Sequence, residues 1–134
     1  MMTSSGIALE RLDHLVLTVR DIEATSAFYE KVLGMRRETF GEGRTALHYG
    51  RQKINLHPHP SPIDPKAAKP DPGSADLCFV AATPLEQVIA HLETCGVAVE
   101  LGPVPRSGAQ GPMTSVYFRD PNDNLIEVSN YGRE

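Results

Sequence analysis

Histidine, carboxylate and amide side chains recur near the ends of predicted strands in this 134-residue chain. His14 begins the first strand, Asn55 and His57 lie on a later one, and Asp76 and Glu127 follow in the second half. Because side chains alternate along a strand, each falls on the face opposite the apolar positions. Imidazole nitrogen and carboxylate or amide oxygen, held on rigid strands, are donors that suit a divalent metal. If the two sheets curl toward each other, the pattern predicts a metal site in a shared cup.

Each of these residues also has a simpler interpretation. A single strand histidine such as His14 is more often a hydrogen-bonded polar residue than a ligand. Glu127, in the stretch LIEVSN, fits the polar half of an ordinary alternating strand. The pattern alone therefore leaves both a metal site and a merely polar sheet face open.

The first of these residues lies in a strand that leads into a helix. Leu12–Val19 is nearly continuous in apolar character, which predicts a buried strand. Asp21 is a favoured helix N-cap and Gly34 a favoured C-terminal stop, with apolar residues at helical spacing between them. The strands predicted next, separated by glycine turns, are Arg36–Phe40, Thr45–Tyr49 and Lys53–His57.

The second half repeats this pattern with few identical side chains. Asp76 aligns with His14 and Gly96 with Gly34, and a capping box (TPLE) begins the second helix at Thr83. The strands predicted here are Ala75–Ala81, Val97–Leu101, Thr114–Arg119 and Leu125–Asn130, with a Gly/Pro loop over Gly102–Pro112. Because strands and helices are mixed and most strands are joined by short turns, an α+β fold of two βαβββ modules is predicted.

A proline-rich segment separates the two halves. Six of the eleven prolines lie between Pro58 and Ser74. Proline lacks the N–H that a sheet ladder needs and has a fixed φ, so a stiff surface connection is predicted, with a fully disordered linker as the alternative. We expect a single domain over residues 1–134, made of module one (11–57), the linker (58–74) and module two (75–131).

Composition argues against several classes of partner. The net charge of −4 disfavours a nucleic-acid or anionic-membrane partner. No apolar run is long enough to span a membrane, and residues 1–11 lack the features of a signal peptide. A cytoplasmic location is therefore expected. There Cys78 and Cys95 would remain thiols and serve as small core residues.

The two ends of the chain resemble a known superfamily. The opening LDHLVLTVRDIEATSAFYEKVLGM and the closing YFRDPNDNLIEVSN are similar to the vicinal oxygen chelate superfamily, which includes glyoxalase I, bleomycin-binding proteins, fosfomycin-resistance thiol transferases and extradiol dioxygenases. The KINLH and GPVPRSGAQGP stretches look closest to small glyoxalase-domain proteins, some of them called virulence proteins. The resemblance covers residues 11–131. It implies a cup-shaped mixed β-sheet with the helices outside, usually completed as a homodimer.

The resemblance also implies which residues form the site. The family's ligand positions, on the first and last strands of each module, are His14, Asn55, Asp76 and Glu127 here. Asn55 stands where glyoxalase I often has glutamate, and Asp76 where metal-using members usually have histidine. Aspartate still ligates Zn, Ni, Mn or Fe ions, so His14, Asp76 and Glu127 are the expected metal ligands. The expected substrate contacts are Asn55, His57, Arg106 and Ser129, with His57 also a candidate for the missing nitrogen ligand.

The resemblance, carried onto these residues, implies a metal-dependent lyase or isomerase acting on a small α-oxo compound or its thiol adduct. The metal would stabilise an enediolate, and Glu127 would move the proton. Arg106 would hold a carboxylate or phosphate, unless it is only a solvated loop charge. The linker and the 102–112 loop are candidate lids. A metal-free binding protein of the bleomycin-resistance type and a thiol transferase remain as alternatives, the first because of Asn55 and Asp76.

Overall fold

The computed structural model describes residues 5–132 and contains two modules of the order βαβββ. The elements are β1 (His14–Val19), α1 (Ile22–Leu33), β2 (Arg36–Phe40), β3 (Arg44–Tyr49), β4 (Gln52–Pro58), β5 (Asp76–Val80), α2 (Leu85–Thr94), β6 (Leu101–Gly108), β7 (Gly111–Arg119) and β8 (Leu125–Tyr131). The α+β class and the repeated module are confirmed. None of the helices in the described range combines the length and apolar character that crossing a membrane requires.

Each module forms its own four-stranded mixed sheet. Sheet A has the order β1-β4-β3-β2, and sheet B has the order β5-β8-β7-β6. In both sheets the first and last strands of the module pair in parallel, and the remaining pairs are antiparallel. A parallel pair needs a crossover between its strands, and each module's helix lies in that connection. Apolar side chains from both sheets and both helices join in one core cluster, which leaves the opposite sheet faces free for polar residues.

Local signals determine α1. The Asp21 Oδ1 atom accepts a hydrogen bond from Ala24 N at 3.0 Å, which caps the helix start. Gly34 adopts φ 67° and its N–H donates to the carbonyl of Glu30 at 3.1 Å, which closes the helix end. Both predicted helix boundaries are confirmed.

The start of α2 differs from the prediction. Its N-cap is Pro84 rather than Thr83, and no side-chain cap hydrogen bond is formed there. Asn130 on β8 replaces the cap, because its Oδ1 accepts from Leu85 N at 2.7 Å while its Nδ2 donates to the Thr83 carbonyl at 3.0 Å. A residue of the distant strand β8 therefore provides the hydrogen-bond acceptor at the start of α2, where the capping box was expected to provide one.

The segment after α2 also differs from the prediction. The expected strand Val97–Leu101 is an extended segment up to residue 100 that packs its valines on the core, and β6 begins only at Leu101. The expected loop Gly102–Pro112 is mostly β6 and its hairpin turn into β7. Pro103 and Pro105 are tolerated because β6 is the edge strand of sheet B, so one side of it needs no donors. Gly102, at φ 118°, permits close approach, since a Cβ there would lie 2.5 Å from the Ser115 carbonyl oxygen.

A buried carboxylate in the turn between β7 and β8 joins the two modules. Asp120 is 4% exposed, and its Oδ1 accepts from the backbone N–H groups of Asn122 and Asn124 at 2.8 and 3.0 Å. Its Oδ2 accepts from Asn124 Nδ2 at 2.9 Å and from the Tyr29 hydroxyl of α1 at 2.6 Å. Burial, followed by the Asp120 charge and hydrogen bond, raises the pKa of Tyr29 far above its usual range.

The same turn holds the connection between β1 and α1. Asn122, 2% exposed, accepts a hydrogen bond from Arg20 N through Oδ1 and donates to Thr25 Oγ1 through Nδ2, each at 3.0 Å. Asn124 Oδ1 accepts from Ala75 N at 2.9 Å, at the start of module two. The asparagines of one turn thus position both the first and the fifth strands.

The proline-rich linker is anchored to sheet A through His57. Residues 59–75 contain neither helix nor strand. The predicted connection therefore lacks regular structure except at Pro58, which is the last residue of β4, and the strand predicted from Ala75 begins one residue later. Arg44 Nη2 lies 3.1 Å from His57 Nε2, and the buried Ser61 Oγ of the linker lies 3.4 Å from His57 Nδ1. Because a guanidinium only donates, Nε2 is the acceptor and Nδ1 carries the hydrogen toward Ser61. Burial, and secondly the Arg44 charge, lower the pKa of His57.

Replacing the buried carboxylate with a methyl group tests the junction. Asp120→Ala should lower the free energy of unfolding by about 3 kcal/mol or more, because it leaves several buried donors without an acceptor. Tyr29→Phe removes one donor and should cost about 1–2 kcal/mol. Urea denaturation measures both. Asp71→Ala, at an exposed linker carboxylate, is the control and should change the value by less than about 0.5 kcal/mol. Similar small losses for the Asp120 and Asp71 variants would contradict this account.

His57 should make the stability depend on pH. The pKa of His57 is lowered in the folded chain, so the unfolded chain binds the proton first as pH falls below about 6.5. The free energy of unfolding should therefore fall between about pH 7.5 and about pH 5.5, and it should fall less in His57→Gln. Urea denaturation at the two pH values measures the difference. His59→Gln, at an exposed histidine, should behave like the wild type; equal losses in all three proteins would exclude His57 as the source.

Candidate functional site

The face of sheet A opposite the core is polar. The β1–β4 register pairs His14 with Lys53, Val16 with Asn55, and Thr18 with His57. Because paired residues share a face, the expected residues of module one lie in successive rows on one surface. The predicted alternation along β1 and β4 is therefore confirmed.

His14 is oriented by a neighbouring carboxylate. Its Nδ1 lies 2.9 Å from Asp13 Oδ1, and the ring is exposed. The hydrogen bond between them is the largest cause of the lowered pKa of Asp13. A carboxylate on one imidazole nitrogen fixes the ring orientation and leaves Nε2 as a basic donor, which is how histidine ligands are commonly held. His14 therefore presents a free nitrogen on the polar face.

Asn55 has an unpaired oxygen on the same face. The residue is 4% exposed, and its Oδ1 has no hydrogen-bond partner among residues 5–132. Leaving a buried acceptor unpaired is costly, so such an atom calls for an explanation such as a bound ion or ligand. The Asn55 oxygen is thus available as a neutral donor.

His57 presents no free nitrogen. Both ring nitrogens are engaged, one by Arg44 and the other by Ser61. His57 therefore does not provide the additional metal nitrogen that was considered for it. It lies instead in the wall of a cavity described below.

The face of sheet B contains the carboxylates of module two. Glu127 on β8 pairs with Cys78 on β5 and with Tyr117 on β7. Ser129 Oγ donates to Glu127 Oε2 at 3.3 Å and lies 2.6 Å from Ser115 Oγ, both serines being fully buried. Ser129 thus holds the Glu127 carboxylate in place from below, and substrate contact by Ser129 stays a prediction.

Cys78 is not the core residue that was expected. It is exposed, because it shares the alternating face of Asp76 and not that of the core residue Leu77. Its Sγ lies 3.3 Å from Ser129 Oγ. Partial burial of the sulfur, followed by the Glu127 and Asp76 carboxylates, raises the pKa of the Cys78 thiol, which disfavours the nucleophilic thiolate. Cys95 packs against the core as expected.

Arg106 lies on a strand rather than in a loop. Its Nε donates to the Tyr117 hydroxyl at 2.7 Å, and its guanidinium carbon lies 5.3 Å from the centre of that ring. Hydrogen bonding and the cation–π contact orient the charge beside the strand pair that carries Glu127. Contact between Arg106 and a substrate stays a prediction.

The four expected ligand positions do not meet within one chain. Residues 5–132 contain no group of three or more His, Cys, Asp or Glu side chains that could hold a metal ion. His14 and Asn55 belong to sheet A, whereas Asp76 and Glu127 belong to sheet B. Each sheet face therefore offers two of the four donors.

The polar face of sheet A also carries a set of basic residues, of which Arg44 was not predicted from the sequence. Arg44 and Lys53 lie over the Phe40 ring, with the guanidinium carbon 4.9 Å and the ammonium nitrogen 4.0 Å from its centre. His48 shares this face and lies 2.7 Å from a Glu38 oxygen. The alternation of Arg44, Ala46 and His48 along β3 was the signal that could have revealed them. His59 and His91 are exposed.

A cavity of about 450 Å³ lies between sheet A and the linker. Val16, Thr18 and His57 form its sheet wall. The opposite wall is formed by the linker residues Pro65, Lys66, Ala67, Lys69, Pro70 and Asp71. The linker thus covers part of the polar face, and its role as a lid stays a prediction. The 102–112 segment, being mostly strand, is not a flexible lid over this cavity.

Comparison with known proteins identifies the family. The chain is 51% identical over 128 residues to Virulence protein STM3117 of Salmonella typhimurium, covering 96% of this chain and 89% of that protein. The Glyoxalase domain-containing protein RDO1 of Mycosarcoma maydis is 49% identical over 125 residues, covering 93% and 70%. The structure of an integron cassette protein from the mobile metagenome of V. cholerae matches with a TM-score of 0.92 at 56% identity, covering 94% of this chain and 98% of that one.

The solved structures whose names state an activity or a ligand are less similar in sequence to this chain. Lactoylglutathione lyase from Agrobacterium tumefaciens has a TM-score of 0.71 at 26% identity, covering 95% and 100%. The antibiotic-binding protein TnmS3 and the fosfomycin resistance protein FosX, at 20% and 18% identity, share the fold alone. The family model described as Glyoxalase/Bleomycin resistance protein/Dioxygenase superfamily matches residues 11–128. The chain belongs to this superfamily.

Proposed function

We propose that this protein is a metal-dependent lyase or isomerase acting on a small α-oxo compound or its thiol adduct. The observation that carries the proposal is His14, whose ring is oriented by Asp13 while its Nε2 has no hydrogen-bond partner among residues 5–132. An exposed histidine held in this way costs side-chain entropy, which a bound ion would repay. The likeness to lactoylglutathione lyase supports the reaction class.

The donor set fits a divalent transition metal. His14 would contribute a nitrogen, Asp76 and Glu127 would contribute carboxylate oxygens, and the unpaired Asn55 Oδ1 would contribute a neutral oxygen. One imidazole with three oxygens suits Mn²⁺, Fe²⁺, Ni²⁺ or Zn²⁺. The substitutions at Asn55 and Asp76 thus change the balance between nitrogen and oxygen donors while keeping a complete set.

Two copies of the chain would complete this set. Sheet A carries the nitrogen donor and several cations, and sheet B carries Asp76 and Glu127, so the two faces are complementary in charge. Apolar side chains are exposed on both faces, with Val16 at 44% on sheet A and Val80 at 60% on sheet B. Pairing sheet A of one chain with sheet B of another would cover these residues. A homodimer with two shared sites follows.

In the proposed reaction, proton transfer and substrate binding depend on the chain's own side chains. A bound divalent ion would supply Lewis-acid stabilisation of negative charge on two neighbouring substrate oxygens. Glu127 would accept the proton from the carbon beside the substrate carbonyl and return it to the adjacent carbon. Ser129 would hold the carboxylate in the required orientation. Arg106 would bind an anionic group of the substrate through its guanidinium.

The second candidate is a metal-free binding protein. It is favoured by the cavity beside the linker, whose lining contains none of His14, Asn55, Asp76 or Glu127. A protein that only sequesters a small molecule would need that cavity and no metal donors. The likeness to FosX supports the thiol-transferase alternative only through the fold. A cytoplasmic location stays a prediction.

Metal binding should stabilise the folded protein. With free Mn²⁺, Ni²⁺, Fe²⁺ or Zn²⁺ at about a hundred times its Kd, the free energy of unfolding should rise by about 2.7 kcal/mol. His14→Gln should abolish most of this rise, and Asp13→Asn should weaken metal affinity about 10–100-fold by releasing the ring. Thermal denaturation and metal analysis measure these effects.

His59→Gln is the matched control for the metal experiment, because it replaces an exposed histidine outside both sheet faces. It should retain the wild-type response. The metal-dependent proposal is contradicted if the metal content is below about a tenth of an equivalent and the melting temperature is unchanged on adding each ion. The metal-free binding protein would then be the remaining candidate function.

Glu127 should be required for turnover. Glu127→Gln should lower the rate with methylglyoxal premixed with glutathione by about 10²–10⁴-fold, because the amide cannot accept the proton. Glu93→Gln, on the exposed side of α2, should leave the rate unchanged. Retained turnover in Glu127→Gln would rule the residue out as the base.

Mixing two inactive variants tests the shared site. When His14→Gln and Glu127→Gln proteins exchange subunits, a mixed dimer contains one site with both native residues, and part of the activity should return. Failure of any mixture to regain activity, with subunit exchange verified, would place both donors in one chain.

A further inference from the structure

Two cations share one aromatic ring on the polar face of sheet A. The Arg44 guanidinium carbon lies 4.9 Å from the centre of the Phe40 ring, and the Lys53 ammonium nitrogen lies 4.0 Å from it. Each contact is favourable because the face of an aromatic ring is negative. The two positive charges repel each other, however, since both are half-buried beside the same ring. An anion bound between them would relieve this repulsion.

The lysine reaches the ring across the middle of the sheet. Lys53 on β4 is in register with His48, and Phe40 on β2 is in register with Arg44. Strand β3 therefore lies between the lysine and the ring. The residue that separates them is Ala46, which is fully buried although it belongs to the polar face. Its small side chain leaves room for the lysine stem to cross, so the ammonium group is directed toward Arg44.

No carboxylate of the sheet neutralises this pair of cations. The acidic residue on the same face, Glu38, lies 3.7 Å from Arg36 and 2.7 Å from His48. The ion pairs formed within residues 5–132 include neither Arg44 nor Lys53. The polar face of sheet A thus has a positive excess in a chain whose net charge is −4.

Two further carboxylates lie near this face without closing on the pair. Asp13 has one oxygen 2.9 Å from His14 Nδ1 and the other 3.9 Å from Arg11 Nη2. Glu42, in the turn between β2 and β3, is exposed and forms no ion pair with another residue of the described chain. The positive charge at Phe40 is therefore left for a ligand.

The arginine of the pair has an unused donor. Arg44 Nη2 donates to His57 Nε2 at 3.1 Å, which holds the guanidinium in place. Its Nε is buried and has no hydrogen-bond partner among residues 5–132. A buried donor without an acceptor is costly, and more so on a charged group. Arg106 of sheet B differs, because its Nε already donates to the Tyr117 hydroxyl at 2.7 Å. Arg44 presents an N–H that an oxygen of a ligand would satisfy.

The pair adjoins the metal donor of the same sheet. His14 on β1 is in register with Lys53 on β4. Neighbouring strands lie about 5 Å apart, so a group bound at Lys53 is only a few bonds away from a group bound at His14. In the proposed dimer a divalent ion would balance the charges of Asp76 and Glu127, which leaves Arg44 and Lys53 without a counter-charge.

We infer that Arg44 and Lys53 form an anion subsite beside Phe40, and that the substrate of the proposed reaction places a carboxylate or phosphate group there. The substrate class narrows to α-oxo compounds with an anionic group a few bonds from the two chelating oxygens. None of the three residues lines the cavity beside the linker. The role as a substrate site rests on the proposed function, whereas anion binding by the pair needs no metal.

Nuclear magnetic resonance tests the subsite without metal. The Arg44 Nε–H signal of the chelator-treated full-length protein is identified by its loss in Arg44→Lys. Methylphosphonate should shift this signal saturably, because the unpaired donor gains an acceptor, and chloride at equal ionic strength should not. Lys53→Gln leaves the arginine donor in place and should weaken the apparent affinity about fivefold or more.

Two chelating probes that differ only in charge test the substrate class with metal bound. N-Hydroxysuccinamic acid offers a metal two adjacent oxygens and carries a carboxylate, and its methyl ester offers the same oxygens without the charge. Calorimetric titration of the Zn²⁺- or Ni²⁺-loaded protein should give the acid a Kd about tenfold lower than the ester.

Variants of the pair should remove this preference. Arg44→Gln combined with Lys53→Gln should reduce the ratio of the two Kd values to about twofold or less and leave the Kd of the ester within about twofold. Lys53→Gln alone should reduce the ratio about threefold, which keeps the test valid if replacing Arg44 impairs folding.

Lys31→Gln combined with Arg37→Gln is the matched control, because it removes two positive charges on α1 and on the opposite face of sheet A. It should leave the signal shift and the Kd ratio within about twofold of the wild type. The inference is overturned if methylphosphonate leaves the Arg44 signal unmoved, if acid and ester bind equally, or if the control pair abolishes the preference as well. If neither hydroxamate binds although the Arg44 signal shifts, the metal-dependent function fails and the anion subsite stands.

Discussion

The buried carboxylate of Asp120 is the constraint on which the rest of the structure depends. It gathers two backbone donors of its own turn, an asparagine amide and the Tyr29 hydroxyl of the other module. A charge this deeply buried is tolerated only because every strong acceptor direction is used. The shared apolar core packs the two modules together, and the hydrogen bonds of this carboxylate add a directional contact between them. The turn therefore holds β1 and β5 in a fixed relation, and with them His14 and Asp76.

Elements with local signals were predictable from the sequence, and those set by distant contacts were not. Helix α1 carries its own cap and its own glycine stop, and both boundaries agree with the structure. The start of α2 depends on Asn130, which lies far along the chain, so a capping box was assigned in its place. Strand β6 looked like a loop because its prolines are acceptable only on a sheet edge, and sheet order is not visible in local spacing.

For the candidate site, the sequence predicted on which face of its sheet each residue lies. Alternation along β1, β4 and β8 correctly places His14, Asn55 and Glu127 on polar faces because that period is fixed by the strand itself. The hydrogen bonds of the two His57 ring nitrogens were not predictable, because their partners are Arg44 across the strand pair and Ser61 in the linker. Whether the donors of the two sheets meet is a property of assembly, and no spacing within one chain encodes it.

The metal donor His14 and the wall of the cavity beside the linker share one strand. Within sheet A, His14 lies one row from Val16 and two rows from Thr18, so the metal donor and the cavity wall are successive positions on one face. A ligand long enough to reach both would place its oxygens at His14 and its body against the linker. The donors would then decide whether chemistry occurs, and the linker would decide which molecules are accepted. Because the linker is a connection rather than a sheet element, its sequence can change without disturbing the donors, so specificity and chemistry can vary independently in this fold.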